Sequence, residues 1–212
     1  MLTKRQSNPY YDIRALVTRH KVATALLAGL VATHLATMFG YWDHLFGLKV
    51  INFNYGNGLQ VFAPNGPAHA SYVTTFLVGG GIHYLNGLAF AVLFAFAVHP
   101  LIPIRNTALG NLAKGLIWGT ALAIMSAAVM TPYVFLTQLH LGFFSHRAGF
   151  WFVAGLFFWH WIFGAALATI YNPLPDDEVI ESKVTLSKAG VNGTSTESAQ
   201  SSTAGIPAGI GA

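Results

Sequence analysis

No cysteine occurs among the 212 residues, which excludes disulfides, iron–sulfur clusters and thiolate metal sites. Charge is nearly as scarce. Only 8% of the residues are Asp, Glu, Lys or Arg, against about 25% in a soluble domain. The scarcity is concentrated: residues 22–41, 72–98, 115–136 and 150–171 contain none of the four types. A chain without intramembrane carboxylates or ammonium groups lacks what ion-coupled transporters usually keep on their path. Also absent are a nucleophile elbow, paired carboxylates and a phosphate-binding glycine loop that opens a helix. Gly79-Gly80-Gly81 lies inside an apolar stretch, where a phosphate would be expelled. The expectation is therefore a protein that is not an enzyme.

What is present is apolar, with 54% of the chain hydrophobic. Each uncharged stretch reaches the ~20 residues that a helix rising ~1.5 Å per residue needs to cross ~30 Å of hydrocarbon. Lipid offers no partners to backbone N–H and C=O groups, so the stretches must be helical. The predicted fold is an all-α membrane protein, a four-transmembrane-helix bundle. The first stretch is longer than the ~7–15-residue apolar core of a signal peptide and follows a long basic leader, so it reads as a transmembrane helix.

The net charge of +4 is no nucleic-acid signal, because the basic residues sort by membrane side instead of forming a patch. Lys4, Arg5, Arg14, Arg19 and Lys21 precede the first helix, Arg105 and Lys114 bracket the second connection, and Lys183 and Lys188 lie in the tail. Only Lys49 and Arg147 fall in the other two loops. The positive-inside rule then puts both termini in the cytoplasm and loops one and three outside. The expected location is the cytoplasmic (inner) membrane of a bacterium, with the lipid bilayer and other membrane subunits as partners.

Three regions follow. Residues 1–21 read as an interfacial helix capped by Asn8, with Pro9 at its first position. Residues 22–172 form the transmembrane domain. Residues 173–212, rich in Ser, Thr, Gly, Ala, Asp and Glu, read as a disordered cytoplasmic tail. In the outer loop 42–71, Ile51, Phe53 and Tyr55 alternate with Asn52 and Asn54 ahead of Gly56-Asn57-Gly58 and Leu59-Gln60-Val61-Phe62. Period-two alternation around such a turn predicts a β-hairpin, with an irregular surface loop as the alternative. Short connections predict that helices two and three, and three and four, are antiparallel neighbours.

Small residues mark contact faces between membrane helices. Helix one carries Ala28, Ala32, Ala36 and Gly40, and helix two carries Gly79, His83, Gly87 and Ala91. Helix three carries Gly115, Gly119, Ala123 and Ala127, and helix four His160, Gly164 and Ala168. His83-x-x-x-Gly87 and His160-x-x-x-Gly164 resemble one another, and so do Gly29-Leu30 and Gly115-Leu116. One reading is two repeated helix hairpins.

His83 and His160 lie within these stripes at similar depth, eleven and ten residues from the outer ends of their helices. His34 faces away from its own stripe. An ionisable group inside the membrane is a functional candidate by default. Three readings stay open for the pair. They are neutral imidazoles tying helices together, bis-histidine ligands of a haem b with glycines making room, or a proton relay or polar lining of a substrate path. Lipid or pigment contacts are a further expectation. His44, His69, His140 and His146 on the outer loops would bind copper or zinc only if the fold gathered them. Pro132 should kink helix three near its outer end.

These motifs resemble a family of small bacterial four-helix membrane proteins. The matching residues are Gly29-Leu-Val-Ala-Thr33, His83 to Gly87, Met130-Thr-Pro132, and His160, Gly164 and Tyr171. The resemblance covers the four helices and implies their fold, without a reaction. The longer, Asn-rich outer loop departs from the pattern. The function expected is a non-catalytic, structural or assembly subunit of a larger bacterial membrane complex, respiratory or photosynthetic. The alternatives are a haem-b electron carrier using His83 and His160, and a channel or carrier for a small neutral molecule.

Overall fold

The computed structural model describes residues 9–49, 52–63 and 69–175. Asn8, Ile51 and the tail from residue 176 lie outside them. Among the described residues every regular element is helical. Helix α1 (Pro9–Arg19) is separated by His20 from α2 (Lys21–Trp42). Then come α3 (Phe53–Phe62), α4 (Tyr72–Leu93), α5 (Ala108–Met125) and α6 (Phe150–Ile170). With their continuations, α2, α4, α5 and α6 are long and apolar enough to cross a membrane, which supports a multi-pass membrane protein. The first and last described turns meet at one end, where Asn172 donates to the Tyr10 hydroxyl at 3.0 Å. This end is the terminal face, and the opposite end is the loop face.

The predicted β-hairpin is not there. Residues Phe53–Phe62 form α3. The Asn52 side chain accepts from the Tyr55 N–H at 2.9 Å and caps the helix, as an N-cap Asn does. Asn57 donates to the Phe53 carbonyl at 2.7 Å. Of the glycines that suggested a turn, Gly58 instead lets α3 lie against α4. A Cβ on Gly58 would run into the Thr75 carbonyl, and one on Gly79 into the Asn54 carbonyl. The alternation of Asn and aromatics thus reflects a helix inserted among other helices.

Helix α2 packs on both α4 and α6, and α6 packs on α5. Helices α4 and α5 were expected to be direct neighbours but share no extended interface. They meet where Phe90 and Phe94 approach Trp118, at 6.3 and 6.5 Å between ring centres. Two crossings are close. Gly29 of α2 lies so near α4 that a Cβ there would be 2.5 Å from the Ala91 Cβ and 3.3 Å from the Gly87 carbonyl. Gly115 of α5 meets α6 at the same two types of partner, the Ala168 Cβ and the Gly164 carbonyl. Ala32 and Ala36 are fully buried. Gly119 approaches the His160 carbonyl.

Two prolines reset the helices. After Leu93 the chain continues as a π-helical turn, Phe94–Val98, and after Met125 as a π-helical segment, Ser126–Phe135, that contains Pro132. In π geometry the N–H of residue i+5 bonds the carbonyl of residue i, as His99 does to Phe94 and Leu136 to Thr131. Pro100 and Pro132 have no N–H, so the carbonyls of Ala95 and Ala127 lose their helical donors. Both are met from elsewhere: the Tyr171 hydroxyl donates to Ala95 at 3.4 Å, and Ser145 to Ala127 at 3.0 Å.

Helix α5 begins seven residues earlier than charge counting implied, because the Thr107 hydroxyl accepts from the Gly110 N–H at 3.0 Å and caps it. Asn111 and Lys114 are therefore helical and buried.

Candidate functional site

The space that α4 and α5 leave between them is an open pocket with a cavity of about 50 Å³. Its polar lining comes from three helices: Asn57 of α3, His83 and Asn86 of α4, and His160 of α6, with Ser126 just past α5. Aromatic walls come from Phe53, Phe90, Phe135, Trp159 and Phe163. Met125 is exposed, and Asn86, Phe90 and Met130 are half-buried. The rim therefore lies on the outer side of the helices, near the middle of α4.

Local geometry brings these groups together. Phe53 and Asn57 sit one turn apart and reach in from α3. Asn86 donates to the Asn57 Oδ1 at 3.2 Å, and Gln60 donates to it at 3.3 Å. The Phe53 ring is nearly parallel to the His83 imidazole at 5.8 Å, 4.2 Å from the Trp159 ring and edge-on to His160 at 6.3 Å. Gly87 faces the Thr33 hydroxyl of α2, which fills the place a side chain would take.

Hydrogen-bond partners assign the tautomers of both histidines. The Thr37 hydroxyl donates to the Thr33 carbonyl at 2.7 Å, so toward His83 Nε2, at 3.1 Å, it acts as acceptor. His83 therefore carries its proton on Nε2 and leaves Nδ1 as acceptor. His160 Nδ1 lies 2.6 Å from the Leu156 carbonyl, so Nδ1 holds the proton and Nε2 is the acceptor. His83 ties α4 to α2, and His160 is tied within α6.

This arrangement does not fit bis-histidine haem ligation. Axial imidazoles would turn two unprotonated nitrogens toward one iron across a flat gap. Here His83 Nε2 is spent on Thr37, and Phe53 packs against both rings.

A second, smaller cavity of about 10 Å³ lies beside Phe53 and Trp159, lined by Thr37, Tyr41, Asn52 and Asn54. The Asn54 Oδ1 and Trp159 Nε1 are buried without a hydrogen-bond partner.

His34 is exposed and bonds the Tyr84 hydroxyl at 2.8 Å. Among the described residues no three His, Asp or Glu side chains gather as a metal site. His146 instead bonds the Phe143 carbonyl at 2.9 Å.

The sequence reading did not anticipate Phe53 and Asn57, because it placed them in a hairpin. It also passed over the terminal face. There the buried His99 bonds Asn111 Oδ1 at 2.8 Å, and Lys114 donates to the His99 carbonyl at 3.1 Å and to Asn106 Oδ1 at 2.7 Å. Arg14 of α1 donates to the Pro173 carbonyl at 2.7 Å and to the Asn106 carbonyl. This network ties α1 and the start of α5 to the end of α6. Its sequence signal was an Asn and a Lys three residues apart, just after a Thr that can cap a helix.

No family model matches the chain, and neither does any curated protein or solved structure.

Proposed function

We propose that this chain is a non-catalytic, multi-pass subunit of a larger bacterial membrane complex, respiratory or photosynthetic, in which it holds a lipid-soluble molecule. The observation that carries the reading is the pocket between α4 and α5. It is concave and lined by both polar groups and aromatic rings, and its rim lies at the side of the helices, where membrane-dissolved molecules arrive. Phe96, Phe150, Trp151 and Phe158 are exposed apolar surface that suits lipid or neighbouring subunits.

The terminal face is cytoplasmic in this proposal and the loop face outside, as the excess of Lys and Arg near the termini favours. The protein sits in the inner membrane as a four-helix bundle. The two hairpins arise by duplication. Gly29, Gly87 and Ala91 make one crossing, and Gly115, Gly164 and Ala168 make the other with the same residue types in the same roles.

The test is the native mass of the protein gently solubilised from its own membrane, with subunit identification and solvent extraction of bound lipids. Recovery in a large assembly with a co-purifying lipid-soluble compound is expected. Recovery alone, with nothing bound beyond bulk phospholipid, would overturn the proposal.

A further inference from the structure

Resting on the pocket reading, we infer that the molecule held between α4 and α5 is a tailed aromatic ring bearing hydroxyl groups, a hydroquinone or phenol type of lipid. Three observations lead there.

The first is the polarity of the histidines. His83 gives its proton to Thr37 and His160 gives its proton to the Leu156 carbonyl. Each imidazole on the pocket wall therefore has only an acceptor nitrogen left. Two acceptors ask for a ligand that donates. A hydroxyl does so, whereas a ring with only carbonyl or ether oxygens would leave both lone pairs unmet. A site built to hydrogen-bond a hydroxyl discriminates strongly against the analogue without it.

The second is the aromatic lining. Phe53, Phe90, Phe135, Trp159 and Phe163 all line the pocket and suit a flat ring, which gains offset or edge-on contacts with aromatic neighbours.

The third is the mouth. Met125 at the end of α5 and Met130 in the π-helical segment beyond it form one edge, and unbranched thioethers adapt to a mobile chain. An aliphatic tail passing between them and Phe90 would run directly into lipid. A headgroup bearing phosphate does not fit, since no Lys or Arg lines the pocket.

The test uses the full chain in phospholipid nanodiscs, under anaerobic conditions, with tryptophan fluorescence as readout. The probes are a decyl-tailed benzohydroquinone, its di-O-methyl ether and dodecanol. Saturable quenching by the hydroquinone is expected, at least tenfold tighter than by the ether. In His160→Phe the hydroquinone should fall to the level of the ether, while the ether is unchanged. Equal affinity of hydroquinone and ether in the unmodified protein would overturn the hydroxyl assignment without touching the pocket. Displacement of the hydroquinone by dodecanol at equal affinity would overturn the ring while leaving a lipid pocket. If none of the three binds saturably, the pocket reading fails as well. The comparison in the unmodified chain stands even if the variant does not fold.

Discussion

The Ser145 hydroxyl donates to the Ala127 carbonyl at 3.0 Å, a group whose helical partner would have been the missing N–H of Pro132. Ser145 is fully buried, and it and Phe144 both sit in the left-handed region, at φ 51° and 58°. That conformation costs a non-glycine residue about 1–2 kcal/mol. The loop accepts the strain where it delivers the hydroxyl to a carbonyl with no water to turn to. Ser145→Ala should therefore lower stability by about 1–3 kcal/mol, the cost of leaving a buried acceptor unmet. In a Pro132→Ala background, where a backbone donor is restored, the same substitution should cost markedly less. Thermal unfolding of the four variants in one detergent measures the coupling, and equal costs in both backgrounds would show that the two residues are unrelated.

The three consecutive glycines of α4 should respond in a graded way. At Gly79 an added Cβ meets backbone atoms of α3, at Gly80 it comes no closer than 3.6 Å to the Asn54 side chain, and at Gly81 it meets nothing within 4 Å. Gly79→Ala should detach α3 and raise hydrogen exchange over residues 53–62. Gly80→Ala should be nearly neutral. Gly81→Ala should be neutral or slightly stabilising, since Ala exceeds Gly in helix propensity by about 1 kcal/mol. Exchange mass spectrometry on the three variants distinguishes this order from a uniform response.

At the terminal face, Asn111 is fully buried and donates to the Tyr171 carbonyl at 2.9 Å and to Asn172 Oδ1 at 3.1 Å while accepting from His99. Asn111→Ala should cost more than Lys114→Met. The alanine strands several buried polar groups at once, at about 1–3 kcal/mol for each unmet group. Methionine keeps most of the apolar stem that lysine buries. Denaturation midpoints of the two variants decide the order.

The imidazole assignments also carry a spectroscopic expectation. With His83 Nε2 donating to Thr37, the protein purified from haem-replete cells should show no Soret band, and Thr37→Val should not create one. A Soret band lost in both His83→Ala and His160→Ala would reverse the tautomer assignment and the ligand class built on it.

Spans were legible because charge is absent from long stretches, and that lack constrains a chain in lipid more than any motif does. The depths of His83 and His160 follow from counting residues along two helices. Helix α3 was not legible, because Asn52 to Asn57 carry both a strand-like alternation and a capped helix, and only packing against Thr75 and Gly79 decides between them. The separation of α4 from α5 was likewise hidden. A short connection brings helix ends together, but it does not say that Phe53 and Asn57 from a distant loop will wedge into the space between. Lys114 was assigned to a connection because counting began at the first uncharged residue, whereas the Thr107 cap starts the helix earlier.

The two close crossings look alike yet should respond differently to repair. At Gly29 the worst neighbour of an added Cβ is the Ala91 side chain at 2.5 Å, with the Gly87 carbonyl at 3.3 Å. Gly29→Ala should therefore separate α2 from α4, and Ala91→Gly should recover most of the loss by removing the atom in the way. At Gly115 the Ala168 Cβ is also 2.5 Å away, but the Gly164 carbonyl is closer still. A backbone oxygen cannot be removed by substitution, so Ala168→Gly should rescue Gly115→Ala poorly. Stability of the two double variants against their singles, measured in the same bilayer mimetic, gives the comparison. Equal rescue at both crossings would mean that the α5–α6 pair can slide apart as readily as α2–α4, and that the carbonyl contact does not set its spacing.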